Sequence, residues 1–317
     1  MKICLILEGC YPYVFGGVST WMHQYINNMK EHEFILWVIG ANAKDRGKFV
    51  YEPPQNVTAV HEVFLDDALH VKASGKMRHR FSKEETDSLR ELMICGRPDW
   101  EVLFSLYQEK RLNPMSFLQS EEFLDILTKS CLTHYPYIAF ADAFHTMRSM
   151  LLPVLYLLGT EVPKADVYHA ICTGYGGMLA CLGGWMYQKK VLLTEHGIYT
   201  REREEEIIRA KWVVPSFKKQ WISFFYMLSD IIYRRAFQVT CLFTNAMLIQ
   251  IQMGCDAKKC RVIENGIHYE RLSQIPLKQE DGWVDIGAVV RLAPIKDIKT
   301  MIYAFFELSM RKKNVRL

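Results

Sequence analysis

Apolar residues follow two alternating rhythms along the chain. Short continuous runs at 3–7, 34–39, 166–172, 191–194, 238–243 and 260–263 have the length and composition of buried parallel strands. The run at 57–64 alternates residue by residue after the Pro53-Pro54 turn and reads as one more strand. Between strands the period lengthens. Val18, Trp21, Met22, Tyr25, Ile26 and Met29 fall on one face of a helix over 18–29. Strands alternating with amphipathic helices predict an α/β domain built on a parallel sheet.

The alternation breaks from 66 to about 160. Ser82-Lys-Glu-Glu85 is a capping box that opens a helix ending at Gly96. Segments 99–110 and 120–131 read as further helices, and 139–158 as a longer one that Pro153 should kink. No cluster in this stretch carries chemistry, so it reads as a helical insertion, a partner or acceptor surface. After 166–172 the glycine-rich turn Thr173-Gly-Tyr-Gly-Gly177 should lead into a helix over 178–187. A long aromatic helix is expected over 215–237, and Thr244-Asn245 should cap one over 246–253. Residues 273–282 are polar and linker-like. A new strand at 283–290, a helix from 297 to about 311 and a strand beginning at 314 follow. The expected organisation is an N-terminal domain of 1–272, a linker, and the incomplete start of a second domain over 283–317.

Composition narrows the function. At 317 residues and 50% hydrophobic, the chain can bury one large core or two smaller ones. A net charge of +4 gives no basic surface for nucleic acid, and no nucleic-acid partner is expected. The nine cysteines are odd in number, without a C-x-x-C pair or metal spacing, which predicts reduced thiols in a cytosolic protein. Cys255 and Cys260 flank a turn and read as packing residues. The apolar run at 3–7 is too short for a signal segment, and 150–158 is broken by Pro153, well short of a membrane span.

Candidate chemistry gathers where strands end. Glu195-His196-Gly197 follows the strand at 191–194, at the edge where open α/β sheets bind ligands. Thr200 reads as an N-cap, and Arg201, Glu202 and Arg203 start a charged helical turn. Taken alone, this stretch is equally well a βα connection with a capping histidine and solvated charges. Glu8 opens a glycine- and aromatic-rich loop whose Gly16-Gly17 pair would let helix N–H groups approach a phosphate, or would simply make a tight turn. His169 lies within its strand and is as readily a core histidine as a ligand contact. There is no G-x-G-x-x-G and no acidic residue at the end of the second strand, which argues against a nicotinamide enzyme. Arg291 and Lys296 flank a loop stiffened by Pro294, with Asp297 capping the helix behind it. Two fixed cations there suit a diphosphate.

Together these residues resemble the retaining glycosyltransferases of family 4, and within them the PelF-type enzymes of Pel exopolysaccharide synthesis. The resemblance spans the chain. It is carried by Glu8-Gly-x-Tyr-Pro-x-x-x-Gly-Gly-Val-Ser-x-Trp21, His169-Ala-x-x-x-Gly-Tyr-Gly176, Thr194-Glu-His-Gly-Ile-Tyr-Thr-Arg-Glu-Arg203 and the Arg291/Lys296 loop. It implies a GT-B arrangement of two Rossmann-like domains across a cleft. It implies that Gly16, Gly17, Arg291 and Lys296 hold the donor diphosphate and that His196 sits by the donor sugar. Glu8, Tyr175, Glu195, Arg201, Glu202, Arg203 and Asn265 are the further cleft candidates. The family's E-x7-E carboxylates, expected in the second domain, are absent from this sequence.

The activity implied is transfer of a hexosyl or N-acetylhexosaminyl unit from a UDP-sugar to a growing polysaccharide, with retention. No cofactor and no metal is expected, the UDP-sugar being substrate. The expected setting is the cytoplasm at the inner face of the membrane, with membrane-embedded Pel synthesis proteins as partners. Two other readings stay open: a truncated, non-catalytic acceptor- or partner-binding module, and a UDP-sugar epimerase of the same architecture.

Overall fold

Seven short runs of chain become seven parallel strands in the computed structural model, which describes residues 1–74, 79–267, 269–290, 292 and 296–317. The strands are β1 (Lys2–Glu8), β2 (Glu33–Gly40), β3 (Val57–Phe64), β4 (Val167–Ala170), β5 (Lys190–Glu195), β6 (Gln238–Cys241) and β7 (Cys260–Val262). Their order is β3-β2-β1-β4-β5-β6-β7, a Rossmann-like sheet. The direction of strand addition reverses between β1 and β4, and a ligand crevice opens outside the carboxyl ends at such a reversal.

Strand alternation divides the core in two. Leu5, Leu7, Leu36 and Val38 face one way and pack with Met22 and Ile26 of α1 (Gly17–Asn28). Cys4, Ile6, Ile35 and Trp37 face the other way and join a larger cluster. That cluster includes the insertion, which comprises α2 (Lys83–Met93), α3 (Trp100–Gln108), α4 (Pro114–Leu118), α5 (Glu121–His134) and α6 (Phe140–Leu158). It also holds α7 (Gly174–Tyr187), α8 (Tyr199–Arg209) and α9 (Lys218–Arg235), with α10 (Thr244–Gln252) packed alongside. Each large side chain fully buried here, such as Trp37 or Phe224, contributes about 1.5–3 kcal/mol. The capping box forms as expected: Glu85 N–H donates to Ser82 Oγ, and Ser82 N–H to Glu85 Oε2.

Three helix starts differ from expectation. Helix α7 begins at Gly174, so the glycine-rich stretch is its first turn and not a loop before it. A Cβ on Gly177 would come within 2.8 Å of Ile232, so close approach to α9 is what these small residues permit. Helix α8 begins at Tyr199, with Ile198 at the cap position and no side-chain cap. Thr200 is buried in the first turn, its hydroxyl 3.3 Å from Met253 Sδ. Helix α10 likewise starts at Thr244, so Thr244 is inside it and Phe243 precedes it. Before α9, the stretch Pro215–Phe217 is a 3-10 turn.

The chain divides into two units, Met1–Asn265 and Gly266–Leu317. The second contains α11 (Tyr269–Ser273), β8 (Val284–Asp285), α12 (Ile298–Arg311) and β9 (Val315–Arg316). Strands β8 and β9 pair in parallel, Val284 with Val315. The strand expected over 283–290 is confined to two residues, because its one pairing among the described residues is with a two-residue β9. Lys278 and Arg316 bridge Asp281 and Asp285 beside it. Asp297 caps α12 as expected, accepting from Thr300 N–H at 3.4 Å. Among the described residues no helix is long and apolar enough to cross a membrane.

Candidate functional site

Strand β1 delivers Glu8 to the reversal point. Its carboxylate accepts from the Tyr199 hydroxyl at 2.9 Å and from Gly176 N–H at 3.2 Å, with Cys172 Sγ at 3.8 Å. One side chain therefore ties the end of β1 to the first turns of α7 and α8. Burial raises the Glu8 pKa, and the Tyr199 and Gly176 hydrogen bonds and the charge of Arg203 pull it back down.

From β4 come Cys172 and the start of α7. Gly174 holds a φ of +62°, and a Cβ there would lie 2.4 Å from the Tyr199 ring. Only glycine lets the ring lie that close while the backbone turns into the helix. Tyr175 follows, 7% exposed, its ring edge-on to Phe224 and Phe225. Burial raises its phenol pKa, so it is a neutral hydroxyl at physiological pH.

From β5 come two neighbours with opposite fates. Glu195 shares the face of Val191 and Leu193 and turns away from the crevice, into the packing of α9 and α10. Its Oε2 accepts from the Tyr233 hydroxyl at 2.7 Å and Gln250 Nε2 at 2.9 Å. Burial raises its pKa to about 7, against those hydrogen bonds. His196 goes to the α1 side, edge-on to Trp21 at 4.5 Å. Burial lowers its pKa, so the ring is a neutral imidazole at pH 7. Its Nε2 is shielded from water and has no partner among the described residues. His169 is the core histidine of the two: 5% exposed, bonded through Nε2 to Thr194 Oγ1 at 2.8 Å, with its pKa depressed to about 4 by burial.

These ends enclose a cleft of about 420 Å³ lined by Glu8, Tyr175, His196, Glu202 and Arg203, together with Gly197 and Tyr199. Arg203 pairs with Glu206 at 2.8 Å and lies 5.4 Å from the Tyr199 ring centroid, while its Nε has no partner among the described residues. The cleft thus combines a cation, carboxylates, a neutral imidazole and neutral phenols. Such a set can hold a polar, hydroxyl-bearing ligand with a negative charge near Arg203.

Other expected residues stand elsewhere. Gly16 and Gly17 are exposed at the start of α1, with open space where a Cβ would go, and it is their neighbour Val18 that lines the cleft. Arg201 and Asn265 are exposed and do not line it. Glu195 is excluded by strand alternation. Lys296 is exposed in the second unit, and Arg291 and Pro294 lie outside the described residues.

Three contributors were not among the expected site residues: Tyr199, Cys172 and Trp21. Tyr199 is three residues past His196 and opens α8, and both line the same cleft. Trp21 falls on the apolar face of α1 and reads from sequence as core.

The family described as "Domain of unknown function (DUF3492)" matches residues 1–258. No curated protein matches the chain. The matched span contains every residue that lines the cleft, from Glu8 to Phe225, and the strands that carry them. On that match, which covers well over half of its length, the chain belongs to the DUF3492 family.

Proposed function

We propose that the chain is a retaining glycosyltransferase of family 4 type, similar to PelF-type enzymes, moving a hexosyl or N-acetylhexosaminyl unit from a UDP-sugar to a growing polysaccharide. The observation that carries this reading is convergence. Three segments bearing the sequence resemblance lie far apart along the chain, yet Glu8, Tyr175, His196 and Arg203 from those segments line one cleft at the sheet's reversal point. The matched domain also occurs in glycosyltransferases similar to family 4.

In this reading His196 faces the donor sugar. As a neutral imidazole it exchanges hydrogen bonds with a sugar hydroxyl and does not place a second positive charge beside Arg203. Glu8 has a structural task, aligning Tyr199 and the first turn of α7 so that the cleft wall is fixed before the donor arrives. The open N-terminus of α1 at Gly16 and Gly17 is suited to a phosphate oxygen. By the sequence resemblance, Arg291 and Lys296 are the candidates for holding the donor diphosphate. Electrostatic stabilisation of the departing UDP would then be the main catalytic contribution. A polysaccharide acceptor and membrane-embedded synthesis proteins are the partners this activity calls for.

The test is release of UDP from UDP-hexoses and UDP-N-acetylhexosamines, with and without oligosaccharide acceptors. Acceptor-dependent release supports transfer, whereas interconversion of UDP-sugars without release would mean an epimerase. His196→Ala should lower turnover by roughly a hundredfold or more with an unchanged melting temperature. Near wild-type turnover in that variant would remove His196 from the mechanism.

A further inference from the structure

Two turns of the first unit meet beside the start of α9. Residues 135–139 join α5 to α6, and residues 210–217 join α8 to α9. The Tyr135 hydroxyl donates to Gln220 Oε1 at 2.6 Å, and its ring centroid lies 5.0 Å from that of Phe217. Trp212 is braced edge-on against Trp221 at 5.4 Å. These contacts fix the two turns as neighbours.

Apolar side chains at both corners face solvent. Leu132 is 73% exposed, Tyr137 99% and Trp212 65%, and Phe140 and Ile208 are exposed beside them. Single exposed apolar residues are ordinary on a protein surface, whereas a group of five at two adjoining corners calls for a partner. The charge around them has one sign. No Asp or Glu occurs in 126–141 or in 207–229, and Lys129, Lys211 and Lys219 are exposed there. The acids just before the second stretch are occupied: Glu205 pairs with Arg209 at 3.3 Å and Glu206 with Arg203 at 2.8 Å.

This chemistry selects among partners. Lysine is depleted at protein–protein interfaces, so a lysine-bearing apolar corner fits a protein partner poorly. At the surface of a bilayer each group has a place. Tryptophan and tyrosine rings settle among the headgroups, leucine and isoleucine reach the acyl boundary, and lysines meet anionic phosphates. Since no helix among the described residues could cross a bilayer, the contact is one of lying on the surface. We propose that the corner formed by 132–140 and 208–219 docks the chain on an anionic lipid surface. The inference does not rest on the transferase reading.

The experiment is flotation of the intact chain with two kinds of vesicle. One is phosphatidylcholine alone, and the other contains roughly a third phosphatidylglycerol. The expected result is binding to the anionic vesicles only, loosened by added sodium chloride. Replacing both lysines, Lys211→Gln with Lys219→Gln, should lower vesicle affinity about thirtyfold. Trp212→Ala and Tyr137→Ser should each lower it about tenfold with unchanged melting temperatures, because both side chains are exposed. Phe243→Ser, at an exposed aromatic elsewhere on the same unit, should leave it unchanged. No flotation, equal flotation with both vesicles, undiminished affinity in Trp212→Ala or Tyr137→Ser, or flotation only when membrane proteins are present would overturn the proposal.

Discussion

The carboxylate of Glu8 and the hydroxyl of Tyr199 meet at 2.9 Å across 191 positions of sequence. The bond joins the last residue of β1 to the first residue of α8, and the Gly176 N–H shares the same carboxylate. The rigidity of the cleft wall rests on this small network.

Tyr199→Phe should therefore destabilise the first unit by about 1–2 kcal/mol, since a half-buried carboxylate loses a charge-assisted hydrogen bond. The Glu8 pKa, already raised by burial, should rise further without that donor. Urea denaturation of Tyr199→Phe, Glu8→Gln and the double variant measures the coupling, expected at about 1 kcal/mol. Strictly additive losses would mean that the two side chains act independently.

Gly174→Ala should cost more than Gly9→Ala, although both glycines have nearly the same backbone angle, φ +62° and +61°. Each substitution carries the left-handed strain of about 1 kcal/mol. Only the Cβ at 174 meets the Tyr199 ring, at 2.4 Å, whereas nothing lies within 4 Å of one at Gly9. The difference between their unfolding free energies, expected at about 1–3 kcal/mol, isolates the contact. Equal losses would show that the ring yields freely.

Glu195→Gln should change the pH dependence of stability. Burial raises the Glu195 pKa from its ordinary 4.5 to about 7 in the folded chain. Between those values the unfolded chain has released this proton and the folded chain retains it. Stability therefore falls as pH rises through that window and levels off above it, by an amount on the order of 3 kcal/mol. Glutamine keeps the shape without the charge, so the difference in melting temperature between variant and parent should grow from pH 5 to pH 8 in favour of the variant. A constant difference across that range would mean that Glu195 ionises as freely in the folded chain as in the unfolded one.

Much of the sheet was legible because strands buried on both faces read as continuous apolar runs. All seven occur where such runs or alternations do. Helix beginnings were harder. At Gly174 and Gly177 local propensity favours a turn, and packing against Tyr199 and Ile232 overrides it. The five-residue α4 escaped notice, although Asn113 caps it through Ser116 N–H and Pro114 opens it. Within the candidate site, the ends of β1, β4 and β5 could be named from sequence, but the direction of each side chain had to come from strand parity. Val191, Leu193 and Glu195 are an alternating set, and this alternation separates buried Glu195 from His196 in the cleft. The Glu8–Tyr199 bond was invisible for another reason: no local pattern links residues so distant in the chain.

The insertion between β3 and β4 also sets the order in which the sheet can be assembled. Ile3 pairs with Phe34 on one side and Val167 on the other, and Lys2 N–H bonds the carboxylate of Asp166, 164 positions away. During synthesis at roughly 5–20 residues per second, β1 and β2 can pair early, yet the inner edge of β1 waits roughly 8–30 s for its second neighbour. Helices α2 to α6 are made in that interval from local contacts, which form fast. The nascent chain thus exposes an unpaired edge at what becomes the centre of the sheet, and the cleft cannot exist until β4 closes it.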